Sequence, residues 1–249
     1  MAVIRPYRRT LRQFADGTYE GHGGWRCIAD PRYAEVPHHY IRSFLLLQDD
    51  LREIFDYLEP ADTNLNCYSY RIHALLLRAC VEVEANCKAI LRENGYARSG
   101  DWTMRDYKKI NATHRLSSFK VILPHWTGIQ GTRAPFGKWA TGGALSWYDA
   151  YNASKHDRHA EFSKATLGCL IDSVCGLLSI LSAQFMTEDF SGQMYWVRSG
   201  SQDGTQRAIG NYFRVSFPTD FPIEQRYDFD WKALKNEPEP FQKFDYASI

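Results

Sequence analysis

Residues 165–185 read ATLGCLIDSVCGLLSILSAQF, and whether this stretch crosses a bilayer or runs through a protein core decides the architecture. It is long enough to span the hydrocarbon layer. Asp172, Gln184 and several serines interrupt it, however. A charge near the middle of a span costs about 2.5–3.5 kcal/mol on insertion scales. The stretch therefore reads as the central helix of a soluble bundle, with no membrane partner.

Immediately before it, helical periodicity runs from about 144 to 159. Further upstream, Ile41, Phe44, Leu45, Leu47, Leu51, Ile54, Phe55 and Leu58 recur at helical spacing, which predicts a first helix from about His38 to Leu58, stopped by Pro60. Ile72, Leu75, Leu76, Ala79, Val83, Cys87 and Ile90 form the stripe of a second, over about Cys67 to Asn94, with Gly95 as its stop. Two helices on each side of an insertion at 96–144 predict a four-helix core. Within the insertion, MRDYKKIN (104–111) suits a short helix, SFKVILPHW (118–126) looks extended, and TGIQGTRAPFGKWATGG (127–143) is a Gly-rich excursion without the Gly-Lys-Ser/Thr ending of a phosphate-binding loop. The division is an irregular N-terminal wrap (1–37), a helical bundle (38–190) and a tail of short strands with a C-terminal wrap (191–249). MYWVRSG and NYFRVSF are the strand candidates of that tail. The fold class is mainly α, with a small irregular or β C-terminal extension.

The chain has 249 residues, 30 Lys+Arg against 29 Asp+Glu, and a formal net charge of +1. That excludes a uniformly basic nucleic-acid coat and an acidic tail protein, so any phosphate-binding surface must be a local patch. Six cysteines at 27, 67, 80, 87, 169 and 175 form no CxxC pair, which reads as free thiols, no zinc site and no metal. No secretory run follows the basic start MAVIRPYRRTLRQF, and the expected location is cytoplasmic. Nothing in the sequence calls for a cofactor.

The densest polar information lies in WYDAYNASKHDRHAEF (147–162). On one continuous helix Asn152, Lys155, His156 and His159 fall within an arc of about 100°, with Tyr151 and Arg158 flanking it. An imidazole that titrates near neutrality, an amide to orient it and adjacent cations suit a phosphodiester. His156 would move a proton while Lys155 and Arg158 stabilise charge on phosphate oxygens. The same cluster equally fits a structural network that locks the bundle. On the second helix, Glu82 or Glu84 could serve as counter-ion to Lys155 or Arg158. Glu82 is the expected one, because it neighbours the Ala79–Val83 stripe, whereas Glu84 is expected on the solvated face. Trp102, Trp126, Trp139, Trp147 and Tyr148 read as core and loop anchors, with base stacking as the alternative.

The string YNxxKHDR (Tyr151–Arg158), followed by the apolar helix and preceded two helices earlier by RIHALLLRACVEVEANCKAIL (71–91), resembles the HEPN superfamily. These are all-α domains of prokaryotic toxins, abortive-infection proteins and RNA-processing enzymes. The likeness covers about 40–91 and 147–185. It implies a four- to five-helix bundle, a homodimer formed through the helices bearing this face, and metal-independent endoribonuclease activity or RNA binding in a bacterial stress or phage-defence system. An antitoxin or other partner protein goes with that setting. The family motif is an Arg, often followed directly by a polar residue, and a His after a gap of four to six residues. Here the His falls on His156 and the polar residue on Asn152, which leaves Tyr151 where the family has Arg; Ala150 and Asp149 do not supply it either. Lys155 and Arg158 are the substitutes on the same helix. Arg32 and His38 also have motif spacing, but Pro37 lies between them ahead of the first helix. The resemblance thus implies catalytic roles for His156, Asn152, Lys155 and Arg158, and binding roles for Tyr151 and His159, with Glu82 behind them. The rival is a non-catalytic helical interaction or nucleotide-binding module.

Overall fold

The structure, a computed structural model, describes residues 2–19, 21–190 and 204–249. Its α-helices, eight among the described residues, are α1 (Pro37–Phe55), α2 (Tyr70–Glu93), α3 (Met104–Lys108), α4 (Asn111–His114), α5 (Ser146–His156), α6 (Arg158–Glu161), α7 (Leu167–Phe185) and α8 (Trp231–Leu234). Helix dominates, and the fold is mainly α.

The apolar stretch becomes α7, and α1, α2 and α5 pack against it. It is long and apolar enough to cross a membrane, yet 83% of its apolar window is buried inside the fold. Most of the polar residues that interrupt it have partners there, Ser182 Oγ being the exception among the described residues. Arg133 Nε donates to Asp172 Oδ1 at 2.7 Å, Gln184 Nε2 donates to Asn86 Oδ1 at 3.1 Å, and Ser173 and Ser179 return their hydroxyls to the carbonyls of Leu170 and Cys175. Asp172 and Gln184 thus answer to the insertion and to α2, and the two serines to their own helix, which is why an apolar helix can carry them. Thr166 caps its start, accepting from the Cys169 amide.

α1 and α2 follow the hydrophobic stripes read from the sequence and bury Ile41, Phe44, Leu47 and Leu51 on one, Ile72, Leu75, Leu76, Ala79, Val83, Cys87 and Ile90 on the other. α2 starts three residues later than its periodicity suggested, because Ser69 Oγ accepts from the Ile72 amide and fixes the cap there. Four of the six free cysteines are buried. Burial pushes the thiols of Cys27, Cys80, Cys87 and Cys175 well up, so they behave as packing groups and not as thiolates.

The insertion and the tail meet in a four-stranded antiparallel sheet of order β2-β1-β4-β3, with β1 Lys120–Ile122, β2 Thr132–Arg133, β3 Gln206–Arg207 and β4 Arg214–Ser216. Val121 pairs with Arg133 on one side and with Val215 on the other. Strands therefore form at SFKVILPHW and NYFRVSF; MYWVRSG lies outside the described residues. The Gly-rich excursion holds the end of the β1–β2 connection, then β2 and a 3-10 turn at Gly137–Thr141, and the connection is organised by Asp62. Its carboxylate accepts from Trp126 Nε1 at 2.7 Å and from the amides of Ile129 and Gln130 at 2.9 and 3.1 Å. Those bonds, led by the one from Trp126, hold its pKa below the usual carboxylate range. Gly128 has φ +119°, and a Cβ there would lie 2.3 Å from Asp62 Cγ, so no other residue fits.

The N-terminal segment enters the same core as the helices. Leu11, Phe14, Ile28 and Tyr33 join the apolar cluster, and the guanidinium of Arg9 is fully buried, with Nε on Glu93 of α2 and Nη1 on Gln184 of α7.

The third long helix is the main departure from the sequence reading. Continuous periodicity to His159 was expected, but α5 ends at His156. Asp157 adopts φ −135° and ψ +78°, and its carboxylate accepts from the Ala160 amide at 3.1 Å as the cap of α6. An Asp caps a new helix start better than it extends an old one.

Candidate functional site

The break at Asp157 divides the YNxxKHDR residues. Asn152, Lys155 and His156 belong to α5, while Arg158 and His159 begin α6. His156, Arg158 and His159 are exposed, as is Lys155, and Asn152 is half-buried. Among the described residues no hydrogen bond joins Asn152 to the His156 ring, so the amide does not orient the imidazole as the sequence suggested. The single catalytic arc expected on one helix is not formed.

Tyr151 is buried, at 2% exposure, and its hydroxyl accepts from Lys155 Nζ at 3.1 Å. Burial raises its pKa, with Lys155 pulling the other way, so the phenol stays neutral. The same bond raises Lys155, which keeps its charge. Tyr151 thus seats Lys155 and is not itself a binding residue on the surface.

Behind this pair, neither Glu82 nor Glu84 forms an ion pair with Lys155 or Arg158 among the described residues, and the glutamate that reaches α5 is not the expected one. Glu84, not Glu82, meets α5: Tyr148 Oη donates to Glu84 Oε1 at 2.9 Å, and Lys88 Nζ lies 3.9 Å from Oε2. Burial, then Glu84, pushes the Tyr148 phenol up and keeps it a donor. Glu82 makes no side-chain ion pair or hydrogen bond among the described residues and lies with Ser43, Leu47 and Val81 on the side of α2 that faces α1. Two positions on a helix differ by about 200°, so neighbours of one stripe can face opposite elements. Tyr148→Phe is expected to destabilise the fold by about 1 kcal/mol, since Glu84 loses a donor in a half-buried place. Urea unfolding at neutral pH reads the change.

Arg158 finds its partner on another helix. Its guanidinium lies over the ring of Tyr70, 5.9 Å from the centroid, and the Tyr70 ring packs on Phe162 at 4.7 Å. Tyr68 meets Phe162 edge-on at 5.7 Å, and the buried ring of His73 lies 5.5 Å below. Tyr70 is 68% exposed and Tyr68 52%. The backbone sets these rings in place. Leu65 and Cys67 carbonyls accept from the Gly168 and Leu167 amides at 2.8 and 2.7 Å, which ties the approach to α2 onto the start of α7, beside Phe162. Two of the nearby acids are engaged: Asp157 caps α6 and Glu161 pairs with Lys164. The result is a patch of exposed rings and cations around α5, α6 and the start of α2.

Neither Tyr68, Tyr70 nor Phe162 stood out in the sequence. Trp147 and Trp139 are the core anchors the sequence suggested, buried at 1% and 4%, and Trp147 Nε1 donates to the Pro135 carbonyl; Trp102 and Trp126 are half-buried. The one local signal was the Tyr-Ser-Tyr that straddles the helix cap, a place where a ring is free to face outward.

No protein-family model matches this chain, and no curated protein or solved structure matches it.

Proposed function

We propose that the chain is a HEPN-like helical protein that binds single-stranded RNA on the patch formed by Tyr70, Arg158, Phe162, Lys155 and His156. The observation that carries this reading is the Arg158 guanidinium resting over an exposed tyrosine ring. Rings offer any base a stacking surface, and the cations follow the phosphates. A protein of net charge +1 can do this only through such a local patch. The resemblance of YNxxKHDR to the HEPN superfamily supports the rest of the picture: a bundle of that type, a cytoplasmic homodimer and an antitoxin-type partner in a bacterial defence system.

The test is fluorescence anisotropy with a labelled ten-nucleotide RNA. Tyr70→Ala and Arg158→Ala are each expected to weaken binding about tenfold, since a stacked base is worth about 1–3 kcal/mol. Arg158→Ala should also lower the salt dependence by about one charge. Unchanged affinity in both variants removes the proposal.

Cleavage is the second reading, favoured by the exposed imidazole of His156 next to Lys155. It requires RNA cleavage in EDTA that His156→Ala abolishes. Binding without cleavage is the better-supported form, because Tyr151 takes the place of the family's Arg inside the fold and Asn152 leaves His156 unoriented.

A further inference from the structure

We infer that the groove between α1 and the first half of α2 takes one nucleotide splayed out of the bound RNA strand; this rests on the RNA-binding reading of the Tyr70–Arg158 patch. The groove has a volume of about 420 Å³, within the range of small-molecule sites. Its floor is apolar, from Ile54, Leu58, Ile72 and Leu75, and Tyr57 and Tyr68 bring rings to its walls. Tyr57 is 86% exposed, an unusual state for a large ring.

Two features select this occupant. The first is continuity. Tyr68 lines the groove and also packs against Phe162, which carries Tyr70 and, over it, Arg158. A strand on the patch therefore meets a continuous run of ring contacts, Tyr70 to Phe162 to Tyr68, that leads to the groove. The second is charge at the mouth. Arg71 and Arg78, seven residues apart on α2, project from the same edge. Each is held by one carboxylate of α1, Arg71 by Glu53 at 3.3 Å and Arg78 by Asp50. Exposed ion pairs of this kind contribute little, and a guanidinium has five donors, so each can take a phosphate oxygen without leaving its partner. Sequence-selective RNA recognition works on unstacked bases that leave the strand, and an apolar slot beside a stacking surface is the shape that recognition needs.

Cys67 makes the idea testable, because this half-buried free thiol lines the groove. Saturating ten-nucleotide RNA of mixed sequence is expected to slow alkylation of Cys67 by iodoacetamide at least tenfold, read residue by residue by mass spectrometry. Ala74→Trp provides the second arm. Ala74 is exposed and lines the groove, so a tryptophan there fills the slot without entering the core. It is expected to weaken RNA binding about tenfold while leaving the effect of Arg158→Ala and the far-ultraviolet circular dichroism unchanged. RNA that binds with its Arg158 dependence, yet leaves the Cys67 rate and the Ala74→Trp affinity unaltered, overturns the groove and spares the patch. RNA that does not bind the wild-type chain at all overturns both.

Discussion

Arg9→Met is expected to cost about 3–5 kcal/mol of stability, the cost of leaving a buried charge without its partner. The guanidinium of Arg9 is fully buried. Its Nε donates to Glu93, Nη1 donates to Gln184 at 3.0 Å, and Nη2 donates to the Glu35 carbonyl. The Tyr40 ring lies 4.7 Å from its centre. One side chain thereby joins the N-terminal segment to α2, α7 and the residues that lead into α1. Burial outweighs the attraction of Arg9 and already holds the Glu93 carboxyl above its ordinary range. Methionine would remove the main compensation and leave Glu93 only the Glu35 amide at 3.1 Å and Arg8 at 3.5 Å. For a chain of this size the loss corresponds to a Tm lower by roughly 10 °C. The deficit should be smaller at pH 5 than at pH 7, because the orphaned carboxyl can take a proton. Replacing both partners, Arg9→Met with Glu93→Leu, should recover much of the loss, since the buried charge is then gone and the part-exposed Arg8 is the only charged group to lose a partner. Urea denaturation of the wild type and the two variants at both pH values reads these differences, and a loss below about 1 kcal/mol for Arg9→Met would refute the network.

The second large effect is a loss of stability in mild acid that traces to His114. This ring is buried between the N-terminal segment and the C-terminal wrap. Its Nε2 lies 2.8 Å from the Arg9 carbonyl, which can only accept, so Nε2 carries the proton; Nδ1 lies 2.7 Å from the Thr113 hydroxyl. That hydroxyl is 2.7 Å from the phenol of Tyr246. Burial pushes the imidazole pKa down to about 4, with the nearby Arg12 cation acting in the same direction and the Arg9 carbonyl opposing. The unfolded chain titrates near 6.5, so between these values the unfolded state binds the extra proton. The stabilisation is therefore complete above pH 6.5 and declines as the pH falls from 6.5 to 4. A difference of about 2.5 units corresponds to about 3 kcal/mol. His114→Gln should be less stable at pH 7 but should flatten the slope across this window. A slope equal to that of the wild type would assign the acid sensitivity elsewhere.

Both effects come from residues that periodicity does not mark. Arg9 and His114 look in the sequence like ordinary polar residues of irregular segments, and the N-terminal segment reads as a wrap. Their burial arises because chain ends and helices far apart in sequence close over them. Glu84 and Glu82 make the same point on a smaller scale. The stripe on α2 was correct, but which neighbour faced α5 depended on where α5 lay.

What the sequence determined by itself was local. The 3.6-residue repeat of α1, α2 and α7 and the strands at 120–122 and 214–216 follow from side-chain shape and from water's exclusion of apolar surface. Asp172 and Gln184 were enough to mark α7 as a protein-packed helix. The tertiary structure decided the rest: that Arg133 answers Asp172, that Asp157 ends α5 and turns Arg158 toward Tyr70, and that Tyr68 and Tyr70 meet Phe162. Each depends on contact between segments distant along the chain. Such contacts are fixed by how faces pack against one another, and a repeat within one helix says which face is apolar but not what will cover it.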